Sequence, residues 1–135
     1  MVKIDIEYQS NLRCEARHGP SGGTLHTDAP VDNNGKGESF SPTDLVATAL
    51  GSCMLTIMGI VGERMGVDIK GAKVSVEKHM VADPKRRIGE LAVHIHIPVK
   101  LSERDQKKFE RAALTCPVHK SLHPDIKMPI VFEWL

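Results

Sequence analysis

Between Leu45 and Gly62 the chain carries no charged side chain. A helix that is apolar on every side must be covered on every side, so this stretch constrains everything around it. Its start and its stop are both written in the sequence. Ser41 is placed to cap free backbone N–H groups, Pro42 suits the first helical position, and Asp44 puts negative charge in the first turn. Charge returns at Glu63 and Arg64, and Gly66 follows. The run just reaches the ~18 residues of a membrane span. Thr48, Gly51, Ser52, Thr56, Gly59 and Gly62 dilute its hydrophobicity, however, and strand-like segments flank it on both sides. It reads as a buried core helix, with Cys53 at its centre.

The flanks read as strands. Residues 2–9 alternate Ile4, Ile6 and Tyr8 against Lys3, Asp5 and Glu7, and 12–17 alternate Leu12, Cys14 and Ala16 against Arg13, Glu15 and Arg17. Glycine and proline at 19–23 make a turn before a short strand at 24–27. A polar loop over 28–39 leads to the long helix. After it, 72–80 and 88–99 form a hairpin around the charged turn 83–87, with Leu91, Val93, Ile95, Ile97 and Val99 in phase. Ser102 caps an amphipathic helix over 103–115, which Cys116-Pro117 terminates because a residue before proline avoids helical geometry. A short turn at 119–123 and a closing strand at 128–134 complete an α+β order, read as a single domain over 1–135.

A helix of about 25 residues runs roughly 37 Å, and one sheet covers only one side of it. Thr48, Ser52 and Thr56, with Ala47, Gly51 and Gly59, are small enough to admit a neighbouring helix. The expected solution is a homodimer whose central helices pack together inside antiparallel sheets, since a lone chain would expose a large apolar face. Net charge is +1 with basic residues scattered and aromatics at 4%, which argues against nucleic-acid binding. The N-terminus lacks the apolar segment of an export signal. The expected compartment is the cytoplasm, where Cys14, Cys53 and Cys116 stay reduced.

Those thiols are the first candidates for chemistry. A cysteine inside an apolar helix is by default a small hydrophobe, and Cys53 lies too deep in its helix for the dipole to activate it. Cys116 differs: it sits at a helix end, followed by Pro117, His119 and Lys120. Brought together, the two have the parts of a redox cycle in which one thiolate becomes a sulfenic acid and the other resolves it as a disulfide. Cys14 reads as core. His94 and His96 share a strand face and could ligate metal, although a solvated face is the simpler reading. Cys116, His119 and His123 have ligand-like spacing without an accompanying C-x-x-C, so neither a metal nor a cofactor is expected. His119 could instead act as a base toward Cys116.

The segment SPTDLVATALGSCM at 41–54, with TCPVHKSL at 115–122, resembles the OsmC/Ohr family of thiol-dependent peroxidases. The strand–helix–strand order extends the likeness over essentially the whole chain. The resemblance implies an intertwined homodimer with active sites at the subunit interface. It also implies a peroxidatic Cys53 attacking a hydroperoxide, a resolving Cys116, and reduction by a lipoyl-type or thioredoxin-type dithiol. Two features depart from the family pattern. Thr43 stands where the peroxidases carry a glutamate after the proline, with Asp44 one residue later, and residues 29–32 hold no arginine. Lys36, Arg13 and Arg17 are the cations left to activate Cys53, and lysine is no equivalent fork donor. The expected function is organic hydroperoxide reduction in oxidative-stress defence. The alternative is a non-catalytic protein of the same fold that binds a small ligand or thiol.

Overall fold

The computed structural model describes residues 1–135. Its packing resolves two compact units, Met1–Val46 and Ala47–Leu135.

In the first unit, β1 (Ile4–Tyr8), β2 (Arg13–His18) and β3 (Thr24–Asp28) form an antiparallel sheet in that order. The register sets Ile6 opposite Ala16, Tyr8 opposite Cys14, and Ala16 opposite Leu25. Because side chains alternate across a strand, Ile4, Ile6, Tyr8, Cys14, Ala16 and Leu25 share one face. That face is open: Ile4, Ile6 and Tyr8 are 56–67% exposed. Cys14, expected in the core, is only half-buried. The loop beyond β3 contains a 3-10 turn, Val31–Asn33, which the sequence reading missed. Gly35 closes against this loop so tightly that a Cβ there would lie 1.7 Å from the Ala29 carbonyl oxygen. The loop then delivers Ser41 to the start of α1 (Pro42–Met65). The Ser41 hydroxyl accepts the Asp44 N–H at 3.1 Å, while the Asp44 carboxylate accepts the Ser41 N–H at 2.9 Å. This reciprocal cap satisfies two otherwise orphaned donors.

In the second unit, β4 (Lys73–Val81) and β5 (Arg87–Ile97) make the expected hairpin, with an irregular register at His79/Met80. They are followed by α2 (Glu103–Ala113), α3 (Pro117–Ser121) and β6 (Ile130–Trp134). The sheet order is β4-β5-β6. Antiparallel pairing holds everywhere except at this edge, where β6 joins β5 in parallel. The α2–α3 segment supplies the long return that a parallel neighbour requires. Leu91, Ile95 and Ile97 of β5 have no exposed surface, nor have Leu50, Met54 and Met58 of α1 or Phe109 of α2. Phe109 meets Trp134 edge-to-face at 5.8 Å.

The long helix is buried on one face only. A Cβ on Gly51 would come within 3.1 Å of Val74 and Val76, so glycine there lets α1 settle onto β4 of its own chain. Ala47 is buried on the same side. These two therefore do not serve an outside helix, as the sequence suggested. Thr48, Ala49, Ser52, Thr56 and Ile60 remain exposed, and a Cβ on Gly59 would meet open space. By length and composition α1 could cross a membrane, its most apolar 18-residue stretch having a mean hydropathy of 2.0. Its Leu50, Met54 and Met58 are nonetheless buried in the chain's own core.

Candidate thiol site

Cys53 and Cys116 lie 63 residues apart in sequence, and the fold brings their sulfurs into hydrogen-bonding contact. All three cysteines are free thiols. Cys53 is half-buried in the middle of α1, and Cys116 is fully buried.

The position of Cys116 follows from its neighbours. Helix α2 unwinds through Leu114 and Thr115, and the Thr115 hydroxyl donates to the Ala112 carbonyl at 2.6 Å. Pro117 excludes helical geometry at Cys116 yet suits the first position of a new helix. Cys116 therefore ends one helix and caps the next, with its sulfur accepting the His119 N–H at 3.4 Å. Burial pushes the Cys116 thiol above its ordinary pKa, and the hydrogen bond to Cys53 adds to the effect. Backbone N–H groups of His119 and Val118 pull more weakly the other way. The buried Cys116 thiol therefore favours its protonated form.

Of the cations considered for Cys53, Arg13 is engaged by carboxylates of its own unit, and the other two are exposed. Arg13 donates to the Glu38 carboxylate at 2.6 Å and lies 3.5 Å from Asp28 Oδ2. The Glu38 hydrogen bond, then the charges of Asp28 and Glu38, raise the Arg13 pKa further. Asp28 is 1% exposed; its Oδ2 also accepts the Glu38 N–H at 3.0 Å, whereas its Oδ1 is buried without a partner. This Arg13–Asp28–Glu38 clamp lies within Met1–Val46. The sequence reading missed Asp28 and Glu38, because nothing in a polar loop marks which carboxylates will meet. Lys36 and Arg17 are exposed.

The histidines divide as the strand pattern implied. His94 and His96 lie on the solvent face of β5, where Glu133 of β6 pairs with them at 3.0 and 3.8 Å. His123 is exposed and pairs with Asp125. No group of three or more potential ligands is arranged to hold a metal ion. His119 is half-buried, and its Nδ1 is buried without a hydrogen-bond partner.

The chain is an α+β protein that carries one thiol on its long helix and a second at a helix junction. The OsmC-like protein family model matches residues 35–130, and the chain belongs to that family. Among solved structures, the chain is 50% identical to a Psychrobacter arcticus protein named as a candidate osmotic-stress-induced and detoxification-response protein. That likeness covers 98% of this chain and 96% of the other, with a TM-score of 0.93. An organic hydroperoxide resistance protein OsmC from Legionella pneumophila shares the fold at 15% identity, covering 98% and 96% of the two chains with a TM-score of 0.78. An OsmC-like protein from Mycoplasma pneumoniae does so at 17% identity, covering 100% and 97% with a TM-score of 0.83. No curated protein matches the chain.

Proposed function

We propose that this chain is a cytoplasmic, thiol-dependent hydroperoxide reductase that acts on organic hydroperoxides through Cys53 and Cys116. The contact between the two sulfurs carries this reading. Cys53, the more accessible of the pair, attacks the distal peroxide oxygen. The O–O bond breaks, an alcohol leaves, and Cys53 becomes a sulfenic acid. Cys116, already in contact, condenses with it, releasing water and forming a disulfide. An external dithiol, of lipoyl or thioredoxin type, then exchanges with the disulfide and restores both thiols. Membership of a family with solved organic hydroperoxide resistance proteins supports this chemistry.

Stopped-flow mixing of reduced protein with one equivalent of cumene hydroperoxide, followed by mass spectrometry, is the direct test. A Cys53–Cys116 disulfide is the expected product. Its absence overturns the mechanism.

The reading takes 1–135 as one functional domain and a homodimer as the working form. The uncharged, exposed face of α1, with Thr48, Ser52 and Thr56, is the surface a second copy would cover. In a dimer held by that face, Ser52→Arg leaves a folded chain whose mass by sedimentation is halved. An unchanged mass removes the α1 face from the interface.

One observation favours a second reading, in which the same fold binds a small ligand or thiol without turnover. Thr43 occupies the position where the resemblance calls for a glutamate. Ultraviolet titration of the Cys53 thiolate in the Cys14→Ala/Cys116→Ala variant separates the two readings. Ionisation near the ordinary ~8.5, with no peroxide consumed, selects the binding protein.

A further inference from the structure

Helix α2 carries a charge pattern that its own chain does nothing to balance. Arg104, Lys107 and Arg111 are all exposed. Their helical spacing puts them on one face, opposite the buried Phe109 and Ala113. Like charges at such spacing destabilise a helix. Arg104 also sets a cation in the first turn, the end that favours anions. Elsewhere the chain pairs its cations: Lys3 with Asp5, Arg13 with Asp28 and Glu38, Lys108 with Asp105. The three cations of the stripe take part in no ion pair. Asp105 is taken by Lys108, and Glu110 accepts the Trp134 ring N–H at 3.3 Å. Glu103 has Lys107 one turn on and does not pair with it. Local rules broken with no gain inside the chain mark places that serve something outside it.

The stripe leads to the thiols. Leu114, 42% exposed, follows Arg111 by one turn. The Cys116 N–H then closes back onto the Ala113 carbonyl at 3.2 Å, so Cys116 sits at the end of this helix. Lys120, exposed on α3, adds a cation beyond it. From Arg104 to Arg111 the stripe runs about 10 Å, the reach of a few carboxylates on a small protein. With aromatics at 4% it has no base-stacking platform for nucleic acid.

We infer that this basic stripe docks an acidic protein surface that carries the dithiol reductant of the Cys53–Cys116 disulfide. The inference rests on the two-cysteine reading above and adds the surface its reductant presents. In the step it serves, one thiolate of the carrier attacks the Cys53 sulfur, since Cys116 is fully buried. The Cys53–Cys116 bond breaks, and Cys116 leaves as a thiolate that takes up a proton. The second carrier thiol loses its proton and attacks the mixed disulfide, closing the carrier's own disulfide and releasing Cys53. Two electrons and two protons pass from the carrier to the cysteine pair.

The test oxidises the full-length protein with one equivalent of cumene hydroperoxide, confirms the disulfide by mass spectrometry, and follows its reduction by stopped flow. Two probes are compared: a dihydrolipoyl-lysine peptide flanked by aspartates, and the same peptide flanked by serines. At low ionic strength the acidic peptide should react about 10-fold faster. The advantage should vanish at about 0.5 M salt, and in Arg104→Gln/Lys107→Gln/Arg111→Gln, whose glutamines keep helix propensity. Free dihydrolipoamide, which is uncharged, should reduce parent and variant at equal rates. Equal rates for the two peptides on the parent, or an advantage that the triple variant keeps, overturns the inference. Binding of duplex DNA or phosphatidylglycerol vesicles to the stripe, with no difference between the peptides, overturns it as well. If the parent forms no disulfide at the first step, the two-cysteine reading fails and the inference with it, a result distinct from peptides that react alike.

Discussion

The two compact units bury opposite kinds of residue. In Ala47–Leu135 the buried side chains are hydrophobic: Leu50, Met54 and Met58 from α1, Leu91, Val93, Ile95 and Ile97 from β5, and Phe109 from α2. In Met1–Val46 they are Asp28 and Ser41, both polar. Each unit contains a three-stranded sheet with an alternating pattern. Only the second sheet has its apolar face covered by its own unit. The first is held by ladder hydrogen bonds and by the Arg13–Asp28–Glu38 clamp, while Ile4, Ile6 and Tyr8 stay in the open. Alternation, then, marks a strand with an apolar face, but it does not say that the face is filled.

This contrast ranks the expected effects of substitution. The largest is at the filled core. Phe109→Ala removes a ring with no exposed surface and its edge contact with Trp134, and should cost about 3–5 kcal/mol in urea denaturation. A loss below 1 kcal/mol would mean that the core of the second unit is far looser than its burial implies.

Next comes the polar clamp. Asp28→Ala strips the Glu38 N–H of its acceptor and Arg13 of a carboxylate neighbour. The expected loss is about 1–3 kcal/mol. No change, or a gain, would show that the cost of burying the unpartnered Asp28 Oδ1 outweighs what the clamp contributes, and the contrast between the units would have to be redrawn.

A smaller effect comes from the buried thiol, and its sign is set by the direction of the shift. Burial holds the Cys116 pKa above its unfolded value. Its contribution to stability is therefore fully present below about pH 8.5, the unfolded thiol value. It declines as pH rises through the folded value, because the unfolded chain then releases a proton that the folded chain keeps. Thermal melts of reduced protein should fall with alkaline pH, and less steeply in Cys116→Ala. Parallel slopes for the two proteins would contradict the assignment.

The smallest effect is expected on the open sheet. Ile6→Ser alters a side chain that is 67% exposed, so stability should move by no more than about 0.5 kcal/mol. A loss of 2 kcal/mol or more, a size associated with buried-core changes, would show that something covers this face in solution.

Much of the fold was legible from the residues. The caps at Ser41 and Ser102, the limits of α1 and the β4–β5 hairpin all follow from short-range rules, and the structure bears them out. Helix α3 differs from the expected turn at 119–123: Cys116-Pro117 ends α2, and the same pair is also a cap followed by a favoured first helical residue, so the local signal marks both events. The thiol site was legible as residue types and not as a place. Cys53 in an uncharged helix and Cys116 before a proline could each be singled out, but their contact could not be derived from either sequence neighbourhood. The partnership of Arg13 with Glu38 and Asp28 was equally hidden, since the three are spread over 25 residues of strand and loop.

By itself, the sequence determined the order of elements, the strand faces and the ends of the helices. Those features arise from interactions within a few residues, where periodicity and capping act. Only the tertiary structure decided that β6 lies parallel to β5, that α1 turns Ala47 and Gly51 inward and leaves Thr48, Ser52 and Thr56 outside, and that Cys53 meets Cys116. Each of these depends on which distant surfaces fit one another, and that is a property of packing rather than of local pattern.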